Sequence, residues 1–192
     1  MTKDKGLLVV LSSPSGGGKT TIIHHILQQG HSDYTYSISM TTRPKRQGEK
    51  NGVDYLFVNE EEFNRHIKKG SLLEYERVHD WFYGTPKRPI EEWIREGWVV
   101  FLDLDVYGAL QVKNLYKSQC LLVFLKPPSL EELRTRLKNR STETREQIER
   151  RLKRVPREME LAEKFDEIVI NDELSRTTRE IIERIERSRQ KQ

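Results

Sequence analysis

One stretch, Gly6 to Leu27, restricts the fold more than any other. Leu7 to Leu11 is an unbroken apolar run, the composition of a short strand buried on both faces of a parallel sheet. Ser13 to Thr20 is a turn with three consecutive glycines ahead of Lys19, and Ile22, Ile23, Ile26 and Leu27 then recur at helical spacing. Strand, glycine turn and helix together follow the phosphate-loop pattern G-x-x-x-x-G-K-[ST]. Its first glycine falls at Ser13, so the turn must accept a small side chain there.

The residue types suit phosphate. Amides of Gly16, Gly17 and Gly18 converge on phosphate oxygens only where no Cβ intervenes. The helix beginning near Lys19 adds unpaired N–H groups and a positive dipole end. Lys19 brings a flexible charge to the β- and γ-phosphates, and the Thr20 hydroxyl is a Mg²⁺ ligand. Pro14 and Ser15 complete the loop. A plain Gly/Ser hairpin is the competing reading.

At 192 residues the chain is one domain with room for inserted lobes. Charged residues reach 33%, more than a compact ball needs, and suit an open cleft. A net charge of +4 is compatible with anionic ligands, while 30 acidic residues among 34 basic ones impose no nucleic acid partner. Cys120, the one cysteine, allows no intrachain disulfide and reads as core. No apolar run approaches the roughly 20 residues of a membrane span, and no signal peptide is visible, so a cytoplasmic protein without a membrane partner is expected.

Further along, Tyr34 to Met40 alternates weakly, and Thr41 to Gly52 is a cationic turn-rich loop. Val53 to Val58 and Ser71 to Val78 read as strands, and Trp81 to Pro86 as an aromatic loop. Asn59 caps a helix over 60–69, and another spans 90–95. Trp98 to Leu104, Cys120 to Leu125 and Phe165 to Ile170 read as strands. Ser129-x-x-Glu132 and Thr144-x-x-Gln147 are capping boxes, and a final helix covers 178–189. Strands alternating with helices predict an α/β fold with a parallel sheet flanked by helices. Two polar segments interrupt it.

Four constellations carry chemistry. Asp103 and Asp105, two apart at the end of a predicted strand, share one face at the sheet edge where α/β proteins bind ligands; a helix cap or surface ion pair is the other reading. Arg43 and Arg46, framed by Ser39, Thr41, Thr42 and Tyr55, form a fork for a dianionic phosphate, or a solvated cationic loop. Glu74 followed by Tyr83-Gly84-Thr85 matches guanine, whose N1–H and amine donate to a carboxylate while O6 accepts from a hydroxyl; otherwise Glu74 is an exposed strand residue. Arg136 and Arg140 lie one turn apart, and Arg151 reaches the same space if two helices fold back. The remaining arginines in this segment read as solvated surface.

These residues, in this order and spacing, resemble guanylate kinases over essentially the whole chain. The most specific match is Thr-Thr-Arg-Pro-Lys-Arg-Gln-Gly-Glu-Lys-Asn-Gly-Val-Asp-Tyr, joined by Tyr-Gly-Thr, Leu-Asp-Leu-Asp and Val-Ile-Asn-Asp. The resemblance implies a P-loop core (1–36, 89–128, 158–192), an inserted GMP-binding domain (37–88) and a helical lid (129–157). It implies that Ser39, Arg43, Arg46, Tyr55, Glu74, Tyr83, Thr85 and Asp105 bind GMP, with Asp103 in the same set. Arg136, Arg140 and Arg151 match lid and transfer arginines, and Asn171 lies near adenine. Ser13 replaces the glycine of most members.

The expected activity is Mg²⁺-dependent transfer of the ATP γ-phosphoryl to GMP, with dGMP as a further acceptor, serving guanine nucleotide synthesis. Another nucleoside monophosphate kinase would lack a use for Glu74 and Thr85. A non-catalytic relative would lack Lys19 and Thr20, and a GTPase-like switch would carry a late Asn-Lys-x-Asp motif, which is not visible.

Overall fold

A computed structural model describes residues 5–14, 16–78, 80–139 and 145–191. In chain order the strands are β1 (Leu7–Ser12), β2 (Tyr34–Tyr36), β3 (Met40–Thr41), β4 (Leu56–Phe57), β5 (Leu72–Val78), β6 (Trp81–Pro86), β7 (Val99–Asp103), β8 (Cys120–Lys126) and β9 (Glu167–Ile170). The helices are α1 (Lys19–Leu27), α2 (Glu60–Lys68), α3 (Lys87–Arg95), α4 (Val106–Tyr116), α5 (Leu130–Asn139), α6 (Arg145–Leu161) and α7 (Leu174–Gln190). One sheet has the order β2-β7-β1-β8-β9, with β2 parallel to β7 and β8 parallel to β9. A second has the order β4-β3-β6-β5. The chain divides into two compact units, Met1–Leu8 with Asp33–Leu102, and Val9–Ser32 with Asp103–Gln192.

In the first unit the β5–β6 hairpin is antiparallel, and β6 also pairs antiparallel with β3. Asn59 caps α2 by accepting from the Glu62 amide at 2.8 Å, which sets Phe63 fully buried and stacked on Phe82 at 5.4 Å between centroids. A Cβ on Gly84 would sit 3.0 Å from both Phe63 and Leu72, so glycine is what lets the helix close on the hairpin. Two sequence expectations fail here. Trp81 to Pro86 is a strand, because its aromatic residues pack on a pleated surface and outweigh the turn character of Gly-Thr-Pro. Val53 to Val58 is strand only at Leu56–Phe57, since the amides of Val53 and Asp54 both close a turn on the Lys50 carbonyl.

In the second unit β8 is buried from Cys120 to Leu125, and α1 and α7 contribute Ile22, Ile23, Ile26, Ile181 and Ile185 to the core. Helix α4, which periodicity did not reveal, buries Val106, Ala109 and Val112. Helix α7 starts at Leu174, ahead of the expected 178. Ser129 caps α5 by accepting from the Glu132 amide at 3.0 Å; the second expected box involves Thr144, outside the described residues. Helices α5 and α6 do fold back on each other, through Leu133, Leu137, Ile148 and Val155. Among the described residues no helix is long and apolar enough to cross a membrane.

Candidate active site

The second unit holds the phosphate loop. The Gly17 amide donates to the Pro14 carbonyl at 2.8 Å, and Gly16 and Gly18 flank it at φ of 88° and 87°, a region costly for other residues. Ser13 is buried, its hydroxyl donating to the Pro14 carbonyl at 2.9 Å and accepting from Lys19 Nζ at 3.4 Å. A Cβ on Gly17 would stand 2.4 Å from that oxygen. The loop therefore accommodates a serine in its first position because Gly17 has no side chain. Ser15 lies outside the described residues.

Asp103, the last residue of β7, meets the loop. Its Oδ2 accepts from Thr20 Oγ1 at 2.6 Å, and its Oδ1 is 3.4 Å from Lys19 Nζ. Two hard oxygen donors side by side are what Mg²⁺ prefers. Asp105 departs from the sequence reading: it does not share a strand face with Asp103 but caps α4, Oδ1 accepting from the amides of Tyr107 and Gly108 at 3.0 and 2.9 Å. The chain leaves β7 after Asp103, so the two-residue alternation no longer applies. Asp105 Oδ2 is buried without a hydrogen-bond partner.

Asn171 follows β9 and donates from Nδ2 to the Gly17 carbonyl at 2.7 Å. Arg136 on α5 donates from Nη2 to the Asn171 carbonyl at 3.1 Å and from Nε to Glu132 at 2.9 Å. Arg151 lies partly buried on α6, while Arg140 is outside the described residues.

The first unit gathers the second set. Arg43 is only 8% exposed, its guanidinium 5.4 Å from the Tyr55 ring centroid and 5.6 Å from that of Phe57. It donates to the Pro44 carbonyl and to Glu49 Oε1, each at 2.7 Å, while Glu49 Oε2 accepts from the Arg46 amide at 2.7 Å. Burial pulls the Arg43 pKa down, but Glu49 and Tyr83 outweigh it and leave it above its ordinary value. Burial likewise pushes Glu49 up, and hydrogen bonds from Arg43 and the Arg46 amide bring it net below the carboxylate range. Glu49 stood in the quoted motif, but the sequence reading gave it no part in the Arg43 set. Only the turn that brings it back to Arg43 reveals it.

Glu74 is 8% exposed and accepts from the fully buried Thr85 hydroxyl at 2.5 Å. A strand that strictly alternated would not bury both Leu73 and Glu74. The register shift between Leu72 and Tyr75 breaks the alternation and turns the carboxylate inward. Tyr83 lies edge-on to Tyr55 at 6.0 Å, and Ser39 is buried nearby in sequence to β3. Thr41 and Thr42 bond the Phe82 backbone at 2.9 Å each, fixing the start of the Arg43 turn to β6.

The family model described as guanylate kinase matches residues 5–188. The chain belongs to the guanylate kinase family. Members of that family phosphorylate GMP using ATP. The guanylate kinase of Salinibacter ruber is 47% identical over 179 residues, covering 93% of this chain and 94% of that protein. The guanylate kinase of Bacillus subtilis is 45% identical, over 88% of this chain and 83% of its own length. The crystal structure of guanylate kinase from Anaplasma phagocytophilum superposes with a TM-score of 0.80 at 29% identity, covering 97% of this chain and 88% of that one. A shikimate kinase from Bacteroides thetaiotaomicron, at 12% identity and TM-score 0.51, shares the fold alone.

Proposed function

We propose that this chain carries out the family reaction with residues 13–20 gripping ATP and the Arg43, Glu74 and Thr85 set gripping GMP. The Pγ–O bond to ADP breaks as a bond forms from Pγ to an oxygen of the GMP 5′-phosphate, giving ADP and GDP. That acceptor oxygen is ionised at neutral pH, so no general base is needed. Catalysis rests on positioning and on charge around the moving phosphoryl.

The loop amides and Lys19 hold the β/γ end. Thr20, with Asp103 beside it, would hold Mg²⁺, which would supply neutralisation of phosphate charge when bound. Arg43 and Arg46, with Tyr55, Tyr83 and Ser39, hold the acceptor phosphate. Asp105 is a further residue of the proposed GMP-binding set. Residues 37–88 act as the GMP-binding domain and 129–157 as a lid bringing Arg136, Arg140 and Arg151, whose closure excludes water and suppresses ATP hydrolysis. A cytoplasmic site of action, with dGMP as a second acceptor, belongs to the same proposal.

The observation that carries the guanine assignment is the burial of Glu74. There the carboxylate stands beside the Thr85 hydroxyl, which donates to it, so an acceptor and a hydroxyl are set together. Guanine supplies two adjacent donors, and the Thr85 hydroxyl can rotate its proton toward O6; adenine supplies no matching pair. Incubation with ATP, Mg²⁺ and GMP, read by ion-exchange chromatography, should yield equimolar ADP and GDP. ADP without GDP would overturn the assignment.

A further inference from the structure

Asn171 is buried, and three bonds fix it. Its amide donates to the Lys126 carbonyl at the end of β8 at 2.8 Å, its Nδ2 to the Gly17 carbonyl at 2.7 Å, and its own carbonyl accepts from Arg136 at 3.1 Å. Only a nitrogen can donate to a carbonyl, so the orientation of the side-chain amide is decided. The Gly17 carbonyl and the Gly18 N–H belong to one planar trans peptide and point in opposite directions. Pinning the carbonyl on Asn171 therefore aims the Gly18 N–H away from Asn171, at the N-terminus of α1. The approach is close: a Cβ on Gly18 would stand 2.9 Å from Nδ2. Gly18 is thus a glycine on two counts, its φ of 87° and the nearness of Asn171.

We propose that Asn171 is a positioning residue of the phosphate loop, acting on the donor's phosphates through the Gly17–Gly18 peptide. Its main-chain carbonyl also accepts from Arg136, so one residue touches the loop through its side chain and the α5 arginine through its backbone. The inference rests on reading residues 13–20 as the triphosphate site.

Calorimetric titration with ATP and with inorganic tripolyphosphate, both with Mg²⁺, separates this role from a base contact, because tripolyphosphate has no base. In Asn171→Ala both affinities should fall together, by about tenfold, while GMP affinity holds. Asn171→Ser, too short to reach Gly17, should do the same and serves if the alanine variant folds poorly. Loss of ATP affinity with tripolyphosphate unchanged would make Asn171 a base contact and overturn the proposal, as would no loss of either. Wild-type protein that binds tripolyphosphate but makes no GDP would instead count against the proposed reaction alone.

Discussion

The Thr20 hydroxyl and the Asp103 carboxylate, 83 positions apart in sequence, lie 2.6 Å from each other, with Lys19 at 3.4 Å from the same carboxylate. This triangle places a cation and two oxygen donors at the mouth of the phosphate loop. Thr20→Val keeps the shape and removes the hydroxyl. It should lower kcat by about 10²-fold and raise the Mg²⁺ concentration giving half-maximal rate. Lys19→Ala should cost at least as much, and steady-state rates across a Mg²⁺ series check both. A near-normal rate for Lys19→Ala would remove it from the transfer step.

Glu49 holds Arg43 in place and ties the Arg46 turn to it. Replacing the carboxylate by an amide weakens a charge-assisted bond. Glu49→Gln should raise the GMP KM about tenfold and leave the ATP KM unchanged. An equal rise in both would mean a general loss of structure.

The same pair has a pH signature. Because the Glu49 pKa is below its unfolded value, its contribution to stability is complete above the ordinary carboxylate range. It is lost as pH falls through the lower, folded value. Melting temperatures of wild type and Glu49→Gln should therefore converge in acid and separate toward neutrality.

Cys120 sits at the start of β8, where burial pushes its thiol up to about 12, Lys113 drawing it down and Asp166 raising it to a lesser degree. Almost no thiolate exists at pH 8. Iodoacetamide should leave the native protein unlabelled and modify it at this one position in denaturant, as mass spectrometry would show. Rapid labelling without denaturant would contradict this burial.

Glu74→Gln turns an acceptor pair into a mixed donor and acceptor facing guanine. The GMP KM should rise by at least tenfold with the ATP KM unchanged. An unchanged GMP KM in steady-state assays would take Glu74 out of the base pocket.

Much of this was legible in the sequence where local chemistry and fold agree. The switch from apolar run to glycine turn to helical period located β1, the loop and α1, and Asn59 and Ser129 cap the helices they were expected to cap. Legibility failed where tertiary context overrode local preference. Helix α4 carries Gly108 inside it and is held by the Asp105 cap and by burial, neither of which leaves a clear period. Strand β6 hides behind Gly84, a glycine that packing demands. Glu74 was identifiable as a residue type, but the register shift that turns it inward was not. Asp105 looked like a strand partner of Asp103 because the strand alternation was carried past Asp103, where β7 ends.

The central claim is that a buried carboxylate selects guanine as the acceptor. Comparing kcat/KM for GMP and AMP under saturating ATP and Mg²⁺ tests it most directly. The account predicts a preference for GMP on the order of 10⁴-fold. Comparable values for the two acceptors would contradict it.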